Sequence, residues 1–332
     1  MAYGDIIIHG KGKKYQMNQQ LPYYPYSDYL KNKYGEKVYK LPVNLPVSCP
    51  NRRNGHGCSF CAESGTGFEA MDCHIPVHKQ LEKTKEYIEN RYHAHKFIAY
   101  FQNYTNTFLP LDDFAFYMNE AVKVPDIIEI AVSTRPDCIT ESYLDVLQSL
   151  KESYQVGITI ELGLQTTNCH TLQSINRGHT LAEFIDAVLK IHRYDFDLCT
   201  HVILNLPGDD MLDAIENAKI LSALHIQIVK AHSLYIAKNT QLCNAYENGT
   251  IALCSKEDYI KRLAAFLEYL SPDIAVERLF SRIPEKDAVF CNWGCSWWKL
   301  RDELLTYMEQ TNSYQGKEYH YLNGAALKEL ET

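Results

Sequence analysis

From residue 43 onward the chain alternates short apolar runs with longer segments whose apolar residues recur three or four positions apart. The runs are Val43–Val47, Phe97–Phe101, Ile127–Val132, Val156–Leu162, Leu198–Leu206 and Ile226–Ala231. Between them lie Val77–Ala94, Leu111–Val122, Ser142–Lys151, Leu181–Tyr194 and Asp210–Ala223, whose spacing predicts amphipathic helices. Strand followed by helix, six times over, predicts parallel crossovers. Thr134-Arg135-Pro136-Asp137 and Leu206-Pro207-Gly208-Asp209 supply turn signals at two strand ends. Six units are too few for a closed eight-unit barrel of about 250 residues. The pattern therefore predicts an α/β fold, a partial (β/α)6 TIM-like barrel over residues 43–275. Residues 1–42 read as a tyrosine-rich arm with a short helix. Residues 241–270 read as helical, and residues 276–332, with all three tryptophans, as a C-terminal appendage.

Composition narrows the class. The chain has 332 residues, 46% apolar and 22% charged, which suits a globular protein with a large core. Its net charge of −8 is unevenly spread. Residues 1–60 hold nine Lys/Arg against three acidic residues, and the rest of the chain is correspondingly acidic. A broad nucleic-acid footprint would favour a basic chain. No apolar run reaches membrane-spanning length, and polar residues follow Ile6-Ile7-Ile8 at once, so a cytoplasmic protein is expected. In that compartment eleven cysteines are expected to be thiols or metal ligands. Cys138, Cys169, Cys199, Cys243 and Cys254 stand singly and read as small hydrophobes.

The remaining cysteines are the candidate chemistry. Cys49, Cys58 and Cys61 are spaced C-x8-C-x2-C after the first apolar run. Three thiolates on one loop suit three irons of a [4Fe–4S] cluster, leaving the fourth iron open. With Cys73 they equally suit a closed zinc site of four thiolates. Gly55-His56-Gly57 and Phe60 favour a loop wrapped round a cluster and an adenine. Cys291 and Cys295 form a separate C-x3-C pair, readable as an auxiliary site with Cys73, a redox thiol, or packing beside the tryptophans.

Seven motifs in order carry a resemblance. Lys37–Asn44 leads into Cys49-Pro50-Asn51-Arg52. Tyr100–Thr107, Ser133–Asp137, Glu161–Thr166, Ile175–Thr180, Asn205–Gly208 and Lys230-Ala231-His232 follow. Together they resemble the YhcC/YtqA-type radical S-adenosylmethionine (SAM) family, a relative of the catalytic subunit of Elongator. The resemblance implies a [4Fe–4S] cluster on Cys49, Cys58 and Cys61 that cleaves SAM to a 5′-deoxyadenosyl radical. It implies a low-potential electron donor such as flavodoxin or ferredoxin. Thr105 and Thr107 stand where relatives carry a glycine-rich loop for the SAM amino group, with Gln102-Asn103-Tyr104 in place of the glycines. Arg135 is expected to fork onto the methionine carboxylate. Glu161 and Gln165 are expected at the ribose, and Phe60 and Arg177 in the cofactor site. A bland reading makes Arg135 a surface turn residue and Glu161 a partner of Arg177.

The resemblance also implies tRNA as substrate, with a change to an existing wobble-uridine side chain. Lys11, Lys13, Lys14, Lys31, Lys33, Lys37, Lys40, Arg52 and Arg53 are candidates for RNA phosphates. Arg278, Arg282, Trp293, Trp297, Trp298, Lys299 and Arg301 are readable as a nucleobase platform or as packing. His201 reads as a satisfied residue, and His232 as the histidine to test. Competing readings are radical chemistry on a small metabolite or peptide, and a non-catalytic zinc module.

Overall fold

The computed structural model describes residues 21–53, 55, 57–62 and 70–330. In chain order the strands are β1 (Val38–Val43), β2 (Lys96–Phe101), β3 (Ile127–Thr134), β4 (Gly157–Gln165), β5 (Asp197–Ile203), β6 (Ile228–His232), β7 (Tyr235–Ala237), β8 (Ala275–Arg278) and β9 (Ala288–Cys291). The helices are α1 (Tyr26–Tyr34), α2 (Val77–Tyr92), α3 (Leu111–Val122), α4 (Glu141–Tyr154), α5 (Cys169–Ser174), α6 (Leu181–Ile191), α7 (Met211–Ala223), α8 (Gln241–Glu247), α9 (Lys256–Tyr269) and α10 (Trp297–Gln310). Seven parallel strands run β1-β2-β3-β4-β5-β6-β8, and β7 pairs antiparallel with β9. The sheet curls into a half-barrel. Its strands are buried on both faces, which is why they read as apolar runs and not as alternating ones.

The six expected strand–helix units are present, with a seventh parallel strand after them. The first strand lies earlier than its expected position, at Val38–Val43 and not Val43–Val47. Lys40 hides it: the ammonium points inside the barrel, where Glu161 and Glu277 neutralise it. Pro42 is tolerated because β1 is an edge strand, paired only with β2. β8 was hidden for the same reason, since two of its four residues are Glu277 and Arg278.

Helices form where the apolar stripe meets a cap. Thr180 and Glu183 close a capping box on α6, and Asp210 and Asp213 one on α7. The helices bury that stripe on the outer face of the sheet, around Leu41, Phe97, Ile130, Ile160 and Leu198. The arm is partly core. Tyr26 and Leu30 of α1 pack inside the half-barrel against Val38, Ile98, Ala131, Ile228 and Ala275, plugging the end where the strands begin. Tyr29 donates to Asp197 (2.6 Å), Lys33 reaches Glu129 and Asp197, and Tyr34 donates to Glu129. Just before the helix, Tyr24 covers the edge of β8 by accepting from the Val276 amide (2.8 Å). The appendage is continuous with the core: Leu300, Leu304 and Met308 of α10 join the main cluster.

Candidate functional site at the strand ends

The plug leaves the opposite end of the barrel open. There Cys49, Cys58, Phe60, Cys61, Thr105, Arg135, Glu161, Gln165 and Arg177 line one cavity of about 1280 Å³, its mouth included. Loops after β1, β2 and β3, the end of β4 and the loop beyond α5 thus meet, as strand carboxyl ends do in parallel α/β folds.

The cysteine loop is clamped by the segment Ile175–Gly178. Ser59 N–H donates to Ile175 O (2.9 Å), and Asn176 Nδ2 donates to Gly57 O (2.7 Å). In return Asn51 Nδ2 donates to Asn176 O (2.6 Å) and approaches Cys58 Sγ (3.4 Å). Gly178, at φ +76°, makes the closeness possible: a Cβ there would stand 2.6 Å from Asn51 Oδ1. Arg52, a candidate RNA contact, instead donates to the carbonyls of Cys61 and Ala62. His56, expected beside the cluster, lies outside the described residues, as do Lys11, Lys13 and Lys14.

Arg177 Nη1 approaches Cys58 Sγ (3.5 Å), while Nη2 donates to Gly163 O (2.7 Å) and Nε is buried without a partner among the described residues. A hydrogen bond from the Cys61 thiol, with the Arg177 and Arg135 guanidinium groups nearby, holds Cys58 well below the usual thiol range. Donating that bond, together with burial, pushes the Cys61 thiol up. The surroundings therefore stabilise the Cys58 thiolate, the ligating form.

A tetrahedral zinc at about 2.3 Å from each sulfur needs sulfurs about 3.8 Å apart. Among the described residues Cys49, Cys58 and Cys61 do not fall within 4.8 Å of one another as a set, whereas Cys73 gathers with Asp72 and His74. Among the described residues no four cysteines meet that spacing. Cys291 sits in β9, across from Tyr235, and Cys295 packs against the main core. Of the single cysteines, Cys199 and Cys243 are buried as expected, while Cys169 is exposed on α5.

Several expected contacts are redirected. Thr105 lines the cavity, but Thr107 does not: its hydroxyl is buried against Thr134 Oγ1 (2.6 Å). The Arg135 fork is taken by Asp137, two residues on, through Nε and Nη2 (2.8 Å each), and Nη1 donates to Arg177 O. Arg135 is 3% exposed, so it is no surface turn residue either. Glu161 does not pair with Arg177. Its carboxylate takes Lys40 and Lys230 at 2.7 Å and His201 at 2.8 Å. Burial would raise its pKa, but the two lysines hold it well below the usual carboxylate range. Gln165, at φ +77°, has no side-chain hydrogen bond among the described residues and lines the cavity.

The sequence reading missed the charged floor beneath. Lys230 touches Glu161, Glu277 and Tyr100, and burial pushes the Tyr100 phenol up to about 12. His201 and His232 stack with centroids 5.3 Å apart, and burial depresses both. His232 also reaches Ser281 Oγ (3.4 Å). The signal was Lys or His interrupting an apolar strand. Of the expected nucleobase platform, Trp293 is packing, against Tyr259 and Phe290, and Trp297 is covered by Arg282 at 4.0 Å. Lys33 and Lys40, expected on RNA, are bound to carboxylates.

The family profiles agree with this geometry. The Radical SAM superfamily profile matches residues 43–221, and the Radical SAM C-terminal domain profile residues 226–310. The chain belongs to the radical SAM superfamily. A Methanocaldococcus jannaschii protein is 33% identical over 297 residues, 89% of this chain and 91% of its own. YtqA of Bacillus subtilis is 30% identical over 308 residues, 92% of this chain and 95% of its own. A tRNA uridine(34) acetyltransferase of M. jannaschii matches at 24% over 176 residues, half of this chain and 31% of its own. The fold is shared with Elp3 of Methanocaldococcus infernus (TM-score 0.66, 16% identity), over 84% of this chain and 64% of that one. As a radical SAM enzyme the protein takes a [4Fe–4S] cluster and SAM as cofactors and needs a reductant. The residues fit: three thiols on the cavity wall, guanidinium groups that stabilise the Cys58 thiolate, and the orphaned Arg177 Nε beside them. No helix among the described residues is long and apolar enough to cross a membrane.

Proposed function

We propose that Cys49, Cys58 and Cys61 hold the cluster, that SAM lies in the same cavity, and that the substrate is the side chain of a tRNA wobble uridine. The convergence of the three thiols on the strand-end cavity carries the cofactor part. When bound, the cluster and SAM supply a one-electron cleavage that yields a hydrogen-abstracting radical.

This chain's residues do the rest. Arg177 and Arg135 place positive charge beside the thiolates and offset the negative charge they bring. Phe60 offers an apolar face, and Thr105 and the unpartnered Gln165 amide offer polar contacts to SAM. Glu161, locked between Lys40 and Lys230, holds the floor in shape and takes no ribose contact. The Asp137-bound fork of Arg135 stiffens the loop after β3 and leaves the methionine carboxylate to other groups.

The tRNA part is supported by the partial match to the uridine(34) acetyltransferase and by the fold shared with Elp3. Of the candidate phosphate contacts, Lys31 and Lys37 are exposed at the plugged end, and Arg53 is exposed on the cysteine loop at the open end. The test is 5′-deoxyadenosine release by anaerobically reconstituted protein with dithionite and SAM, with and without unmodified bulk tRNA. Stimulation by tRNA is the expected result. Release without stimulation would move the substrate to a small metabolite or peptide.

A further inference from the structure

Two lysines and two glutamates line the inside of the barrel, and they cancel. Lys40 and Lys230 are each bound to Glu161 and Glu277 at 2.7 to 3.2 Å. One more cation faces the same cavity from β8. Arg278 is half-buried, lines the cavity wall, and its guanidinium makes no hydrogen bond or ion pair with any described residue. His232 and Tyr235 beside it offer no counter-charge. His232 is held neutral by burial, with His201 and Arg278 also acting against its proton, and Tyr235 is a phenol kept protonated by burial. Leaving a guanidinium uncompensated in a partly desolvated cavity is costly unless something returns the charge.

Arg278 comes from a different strand than the groups assigned to SAM. Thr105 follows β2 and Gln165 ends β4, whereas β8 lies three strands beyond β4 in the sheet. Ser281 Oγ, on the chain just past β8, lines the same stretch of wall.

We infer that Arg278 is the anchor for an anionic group, a carboxylate or a phosphate, of the molecule that enters the β6–β8 side of the cavity. The planar fork suits both groups through two parallel N–H donors. The inference goes beyond the tRNA reading and does not rest on it, because a small metabolite could present the same anion.

The test uses the anaerobically reconstituted holoenzyme saturated with SAM. Inorganic phosphate and N-acetylglycine are the probes, with the neutral N-acetylglycinamide as charge control, and binding is read by calorimetric titration. Saturable one-to-one binding of phosphate or N-acetylglycine is expected, with none for the amide. Phosphate binding alone assigns a phosphate site, and N-acetylglycine binding alone a carboxylate site. Arg278→Gln is expected to weaken the bound probe at least tenfold, and Arg278→Lys less, with the SAM dissociation constant within twofold of native. Native-like probe binding by Arg278→Gln overturns the inference, as does no saturable binding of either probe to the native protein. A variant that loses SAM binding instead assigns the guanidinium to the SAM carboxylate and overturns it too. Equal melting temperatures for the native protein and Arg278→Lys guard against a folding artefact.

Discussion

Glu161 has no exposed side-chain surface and touches two lysines and a histidine. Removing its charge leaves Lys40 and Lys230 sharing Glu277. Glu161→Gln is expected to cost on the order of 3–5 kcal/mol, the usual scale for breaking a buried pair. The double variant Glu161→Gln/Lys230→Met is expected to recover part of that loss, and urea denaturation measures both. His179 supplies the pH dependence. Burial, with Arg177 nearby, lowers it to about 4. In the unfolded chain it titrates near 6.5, so the unfolded state binds the extra proton first. His179 therefore contributes stability above about pH 6.5 that is lost as the pH falls toward 4. Native protein and His179→Gln, compared by denaturation at pH 7 and pH 5, should differ in slope. Equal slopes would show that His179 is not the neutral, buried imidazole described.

At the scale of the element, α1 behaves as a stopper. Its Tyr26 and Leu30 fill the inside of the half-barrel, so Leu30→Ala should cost about 2–5 kcal/mol. A cost below 1 kcal/mol in thermal or urea unfolding would contradict the plug. The Ile175–Gly178 clamp is a second element-level device. Asn176→Ala deletes the bond to Gly57 O and should cost about 1 kcal/mol. It should also speed iron loss to a chelator, which a purely structural turn would not do. Most strands were legible because parallel strands buried on both faces are apolar throughout. β1 and β8 were not, because Lys40, Glu277 and Arg278 place charge inside the barrel, where the apolar pattern has no way to record it. The site divides likewise. The three cysteines were legible from spacing, since one loop must carry them. The commitments of Arg135 and Thr107 were not, because their partners, Asp137 and Thr134, look like ordinary loop and strand residues until folded.

For the whole molecule, the cavity joins two halves of unlike chemistry. The β1–β4 side carries the thiols, and the β6–β8 side carries an uncancelled cation. Replacing Cys49, Cys58 or Cys61 singly with Ala should abolish the bound iron and 5′-deoxyadenosine release, measured by iron assay and chromatography. Full iron retention in all three variants would sink the ligand assignment.

The clamp also has a consequence for how the chain is born. Gly57 leaves the ribosome 119 residues before Asn176, the residue that secures it. At about 5–20 residues per second, about 6–24 s pass with the thiols translated and their clasp not yet made. During that interval the cysteines are open to oxidants and stray metals. Cluster loading should therefore follow translation of the fourth strand–helix unit, and a nascent chain arrested before residue 176 should take up iron no better than an unfolded peptide.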